Sequence, residues 1–146
     1  MTPDKRIAEF IGAHHVLTLA TCAGGTLHCC NLFYAYLPQR NAFAVTSSDK
    51  TLHAAHLREN PKVAASIVLE TRTIGKVQGL QIRGTMTGPS EEEKSEIRKA
   101  YLTQFPYAAV MDLDLWVIRP DYMKLTDNRL GFGKKIIWEA QNDRQD

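Results

Sequence analysis

The chain is short of almost every feature that marks a specialised protein. It has only three cysteines, Cys22, Cys29 and Cys30, with no Cys-x-x-Cys pair among them, so neither a disulfide framework nor a thiolate zinc site is indicated. No apolar run approaches the roughly 18 residues that a membrane-crossing helix requires. No charged start followed by an apolar core opens the sequence, which argues against a signal peptide. The expectation is a reducing, cytoplasmic setting with no membrane partner. Nine glycines and six prolines are no excess, which excludes collagen and low-complexity linkers. No nucleophile elbow, dinucleotide glycine fingerprint or phosphate-loop motif occurs. Charge of one sign is lacking too. Eighteen Lys and Arg against 16 Asp and Glu leave a net charge of +2, which neither requires nor forbids an anionic partner.

What is present is an ordinary globular composition, with 146 residues, 44% of them apolar and 23% charged. That length suits one domain with a core large enough to need no staple. Thr2 and Pro3 read as the start of a helix with Ile7, Phe10 and Ile11 on one face. Val16 to Thr21 and Leu27 to Tyr36 read as strands joined by the turn Ala23-Gly24-Gly25-Thr26. Both faces of the second strand are largely apolar, which predicts burial on two sides. Ala42 to Thr46 is a third strand, and Asp49 is the candidate cap of a helix that stops at Asn60-Pro61. Lys62 to Glu70 and Val77 to Thr87 follow as strands, the second with Gly79 and Gly84 as candidate bulges. Ser90 and Glu93 form a capping-box signature, and Leu113 to Arg119 and Met123 to Thr126 are late strands. Six or seven strands with short helices and no βαβ alternation predict a mainly β protein, a small antiparallel barrel with flanking helices. Residues 1–146 form one domain, with 127–146 as a C-terminal arm.

The segment Thr46-Ser47-Ser48-Asp49-Lys50-Thr51-Leu52-His53 concentrates hydroxyls, a lysine and backbone N–H groups where a strand turns into a helix. Such a junction can bind phosphate, because free amides and the positive helix end face an anion. It can equally be an ordinary helix cap. His53 and His56 share a helix face but have no third ligand at metal spacing, so no metal is expected. The tail, with Phe132, Lys134, Lys135 and Trp138, can stack on nucleic acid, pack on a partner chain or lie beside a cofactor. The small net charge gives nucleic acid little support.

In order along the chain, Val45-Thr46-Ser47, then Asn60-Pro61-Lys62-Val63-Ala64-Ala65, then Gln78 to Gly84 before an acidic helix, resemble the FMN-binding split barrels of the pyridoxamine 5′-phosphate oxidase-like superfamily. The end, Thr126-Asp127-Asn128 with Gly131-Phe132-Gly133-Lys134 and Trp138, is similar to an uncharacterised bacterial subfamily of it. The resemblance covers nearly the whole chain and implies a split barrel and a homodimer with FMN in a groove between two copies. By position it implies that Ser47, Ser48, Lys50, Thr51 and His53, beside Thr46, contact the phosphate, and that Asn31, Leu32 and Phe33 lie along the isoalloxazine. Family members often carry Ser-Arg-Lys or Ser-Lys where this chain has Thr51-Leu52-His53. The phosphate is then left to hydroxyls, amides, Lys50, a protonated His53 and Arg83. In the tail Trp138 is expected to cover the ring from either chain, with Lys134 or Lys135 favouring a negative charge on the reduced flavin.

Flavin would supply the redox chemistry, which suits a sequence with no evident acid–base pair. The expected function is a flavin-dependent oxidoreductase of an unidentified small-molecule substrate. The alternatives are a flavin, deazaflavin or haem carrier or sensor without turnover, and a nucleic-acid-binding small barrel. The resemblance does not extend to pyridoxamine phosphate oxidation itself, since the tail Gly133-Lys134-Lys135-Ile136-Ile137-Trp138 lacks a substrate-binding arginine and histidine cluster.

Overall fold

The computed structural model describes residues 2–140. Its elements are α1 (Lys5–Ala13), β1 (Val16–Ala23), β2 (Thr26–Leu37), β3 (Ala42–Thr46), α2 (Leu52–Glu59), β4 (Lys62–Leu69), β5 (Gln78–Thr87), α3 (Lys94–Gln104), β6 (Leu115–Asp127) and β7 (Lys135–Glu139). All strand pairs are antiparallel. The sheet runs β3-β2-β1-β4-β5-β6-β7, and a further β3–β6 pairing closes six of its strands into a barrel. The expected mainly β architecture with flanking helices is therefore what forms.

Two local features make the closure work. At the β1–β2 hairpin, Gly24 (φ 55°) and Gly25 (φ 80°) occupy left-handed conformations, as a two-residue turn between twisted strands needs. In the middle of β6 the chain changes partners. Phe43 to Thr46 of β3 pair with its first part, Leu115 to Ile118. Lys135 to Glu139 of β7 pair with its last part, Tyr122 to Thr126. Between them, opposite Arg83 and Gly84, the register shifts and Asp121 is skipped. A Cβ on Gly84 would lie 2.2 Å from the carbonyl oxygen of Arg119, so only glycine admits this approach. The same bulge accommodates Pro120, so the two late strands expected around it are one continuous strand.

Inward residues alternate with outward ones. Leu17, Leu19, Tyr34, Phe43, Val45, Ile67, Leu80, Ile82, Ile118 and Met123 fill the interior. Helix α1 closes one end of the barrel with Ile7, Phe10 and Ile11, where the Tyr34 hydroxyl donates to the Ile11 carbonyl at 2.6 Å. Its cap is Asp4, not Thr2, because the Asp4 carboxylate accepts the Arg6 backbone N–H at 2.8 Å. Helix α3 covers a second core on the outside of β2, β3 and β6, built from Ala35, Leu37, Ala44, Ile97, Tyr101 and Val117. The Ser90–Glu93 box is present, with the Ser90 N–H donating to Glu93 Oε1 at 3.0 Å and the Glu93 N–H to Ser90 Oγ at 3.3 Å.

One further expectation is corrected. Thr51, not Asp49, caps α2, since residues 48–51 first close a turn and the Thr51 hydroxyl then accepts the Ala54 N–H at 3.2 Å. Within one chain the C-terminal end of β2 is buried on both faces, because α3 reaches Ala35 and Leu37 but not Leu27, Cys29, Asn31 or Phe33. Within the C-terminal arm Lys135–Glu139 joins the sheet as β7; residues 141–146 lie outside the described residues.

Candidate functional site

The end of the barrel opposite α1 is closed by α2, and its chemistry is polar. Ser47 leaves β3 with its backbone N–H donating to the Asp114 carbonyl and its carbonyl accepting Trp116 Nε1–H at 3.2 Å. The turn that follows is folded by Ser48, whose hydroxyl accepts the Lys50 N–H at 3.2 Å and whose carbonyl accepts the Thr51 hydroxyl at 2.9 Å. Ser48, Asp49 and Lys50 are exposed. Arg58, one helix length on, returns to donate to the Asp49 carbonyl at 3.1 Å. The turn therefore carries two cations, Lys50 and Arg58, of which sequence reasoning found only the first; Arg58 is hidden in an unremarkable helix and only its folding back reveals it. Thr46 turns the other way, with its hydroxyl donating to that of Tyr101 at 3.2 Å.

His53 does not face the turn's exposed side. It is 6% exposed, with Nε2 hydrogen bonded to Ser47 Oγ and Nδ1 3.5 Å from Cys30 Sγ. His56, equally buried, bonds Thr21 Oγ1 through Nδ1 at 2.9 Å. His28 of β2 stacks on His53 and meets His56 edge-on, at 6.4 and 6.3 Å between ring centres. Burial, with the neighbouring imidazoles of His28 and His56, holds the His53 pKa below its ordinary value. These surroundings disfavour the protonated form of His53, and its ring nitrogens face Ser47 and Cys30 rather than the exposed side of the turn. The histidine pair is satisfied by hydroxyls, and among the described residues no set of three acidic, histidine or cysteine side chains is arranged for a metal.

The outer face of β2-β1-β4-β5 is open. Cys29, Ala20, Ala64 and Arg83 form one row across it, and Asn31, Thr18, Ser66 and Gln81 the next. Small side chains make it smooth, and Leu27, Phe33 and Val68 are 79%, 48% and 65% exposed on it. Asn31 accepts the Thr18 hydroxyl at 2.7 Å. Phe33 lies 5.4 Å from Phe105 and parallel to His15 at 6.1 Å. Leu32 points inward against the core, so of the three expected ring contacts only Asn31 and Phe33 share this face. A cleft of about 430 Å³ opens between Ala20, Leu27, Ala64, Lys62 and Arg83. Arg83 also lies over the Tyr122 ring at 4.2 Å.

The expected phosphate and ring contacts do not converge in one chain. Arg83 is three strands, roughly 14 Å, from β2, and the turn lies beyond β2. Thr46 pairs with Leu115 and Lys135 with Thr126, so Lys134 stands at the other end of β6, on the order of 35 Å along the strand. Lys134 is exposed. Trp138 packs on the main core opposite Met123, its indole N–H buried without a partner.

A closed antiparallel barrel in which one strand is shared between the closure and an added edge strand, with a helix over each end, is a split barrel. The haem-binding protein of Mycobacterium smegmatis has this fold, with a TM-score of 0.74 and 21% identity over 88% of this chain and 54% of that one. A FAD-binding protein of Mesorhizobium loti aligns at 0.68 and 14%, covering 92% and 93%. The haem storage protein HutZ of Vibrio cholerae aligns at 0.66 and 18%, covering 82% and 91%. No family model matches the chain. The chain belongs to the UPF0306 family: it is 39% identical over 132 residues to the UPF0306 protein of Enterobacter sp. strain 638, covering 90% of this chain and 93% of that one. It is 37% identical over 139 residues to the UPF0306 protein YhbP of Salmonella arizonae, covering 95% of each.

Proposed function

We propose that the protein is a cytoplasmic homodimer that holds FMN between the outer face of β2 and β1 and a second copy of the chain, and that it is a flavin-dependent oxidoreductase of a small molecule. The observation that carries this reading is the open face itself. Leu27, Phe33 and Val68 stand exposed on a smooth four-stranded surface, which a monomer would leave as an unfavourable apolar patch. The residues present suit a flavin mononucleotide. A ring needs an apolar slot with few polar groups, which Phe33, Ala20 and Asn31 supply. A phosphate needs hydroxyls and cations, which Ser48, Lys50 and Arg58 supply around the turn. Bound FMN provides the electron-transfer chemistry, and the protein orients it and tunes its charge. Asn31, its oxygen engaged by Thr18, keeps an amide N–H to donate at this face. The second copy excludes water from it. The resemblance in fold to a FAD-binding protein supports the reading.

One observation favours haem instead. His15 is exposed beside Phe33 on the same face, where an imidazole is free to ligate iron, and two fold neighbours are haem proteins. Titration of the purified chain with FMN, riboflavin, a deazaflavin and haemin separates the readings. Saturable quenching of FMN fluorescence, weaker for riboflavin, supports the flavin. A haem spectrum abolished by His15→Ala, with no flavin binding, overturns it in favour of haem.

A further inference from the structure

A recess lies at the α1 end of the barrel, at the opposite end from the turn just described. It has a volume of about 440 Å³, with the buried or half-buried Phe10, Leu69 and Leu125 as its floor and the exposed Ala13, Leu130, Arg6 and Arg129 around its mouth. The two arginines are held alike. Arg6 donates through Nε and Nη2 to Asp4 at 3.1 and 2.9 Å, and Arg129 through Nε and Nη2 to Asp127 at 3.1 and 2.9 Å. A guanidinium clamped along one edge by a carboxylate has lost its rotational freedom but keeps its Nη1 donors free. We propose that this recess is a binding site for a small monocarboxylate with an apolar or single-ring body, its carboxylate received by the free edges of Arg6 and Arg129.

The charge balance selects that class. Asp4 and Asp127 neutralise the two guanidiniums, and Glu9 at the rim is paired with Lys5. The site thus offers directed donors with almost no net charge, which suits one negative charge better than a phosphate dianion. His14 lies against Phe10 at 4.4 Å and extends the wall, and Gln78 adds a neutral polar group. An apolar floor with a few fixed polar groups is the usual make-up of a small-molecule site of this size.

The test is a nuclear magnetic resonance titration of the full chain with benzoate, benzamide and inorganic phosphate. Benzoate should shift the amides of residues 6–14, 69, 78 and 125–130 saturably, with benzamide weaker and phosphate without effect. Arg6→Gln should raise the benzoate dissociation constant roughly tenfold, the loss of one charged hydrogen bond. Arg129→Gln should act alike; because it leaves Asp127 unpaired, Ala13→Phe is made beside it to fill the mouth and should abolish binding in a folded protein. Absence of saturable benzoate shifts, unchanged affinity in Arg6→Gln and Ala13→Phe, or tighter binding of phosphate than of benzoate would each overturn the proposal.

Discussion

Mild acid should loosen the α2 end of the barrel before it touches the ion pairs elsewhere. His53 is surrounded by Ser47 from the end of β3, Cys30 and His28 from β2, and His56 on its own helix. None of these is an anion that could reward a proton. Burial and the two imidazoles lower its pKa in the folded state, whereas the unfolded chain titrates near the usual value of about 6.5. Between those two values the unfolded state binds a proton that the folded state refuses. Stability is therefore full above about pH 6.5 and falls with pH until the folded pKa is passed, by at most about 1.4 kcal/mol per pH unit for one such group. His14, lowered by burial in the same way, adds to this window. The carboxylates act lower down. Asp4, held near 2 by the Arg6 side chain, and Glu93 and Asp127, held down chiefly by the Ser90 N–H and by Arg129, lose their contribution only below about pH 5. Urea unfolding of the wild type and of His53→Gln, in steps from about pH 7.5 to about pH 5, measures the effect. The variant should be the less stable at neutral pH and should show the shallower decline. Parallel pH profiles for the two proteins would refute the reasoning.

Gly84→Ala places a methyl 2.2 Å from a backbone oxygen and should cost about 1–3 kcal/mol or more, read as a lowered urea midpoint with unchanged slope. Lys50→Ala should weaken FMN binding by about 1.5–3 kcal/mol while leaving riboflavin unaffected; equal losses for both would move the damage from the phosphate to the ring or the fold. Ala64→Arg, on the outer face where the added side chain meets no interior packing, should give a folded monomer by sedimentation, and an unchanged dimer would place the interface elsewhere.

Much of the fold was legible because its strands are short, alternating and bounded by strong turn signals. Gly24-Gly25 and Asn60-Pro61 fall where the chain reverses, and Ala42 to Thr46 matches β3. The errors have physical causes. Thr51 outcompetes Asp49 as a cap because a turn intervenes, which no propensity reveals. Pro120 reads as a break, yet the Gly84 bulge removes the hydrogen bond that proline cannot make. The exposure of Leu27 and Phe33 is invisible to periodicity, which sees apolar residues but not whether anything covers them. At the candidate site the segment from Ser47 to His53 reads in the sequence as one unit, and its division does not show there. Ser48, Asp49 and Lys50 face out, whereas His53 turns inward to Cys30 and His28, residues more than 20 positions earlier in the chain. Contacts of that separation are written only in the fold.

The scattering of Lys50, Arg83 and Lys134 has a consequence for how the cofactor and the dimer depend on each other. The three cannot reach one flavin within a chain, since strand spacing and the length of β6 keep them apart. Under the proposed function, with the phosphate at the turn beside Ser48, Lys50 and Arg58, any contact from Arg83 or Lys134 to the same flavin comes from the second copy. A ligand that touches both chains binds the dimer and not the monomer, so it stabilises association by mass action. Reciprocity then requires that FMN favours dimerisation by the same free energy by which dimerisation favours FMN. Protein concentration becomes a variable of flavin affinity. Dilution should release FMN together with the subunits, whereas a flavin held wholly by one chain would stay bound through dissociation.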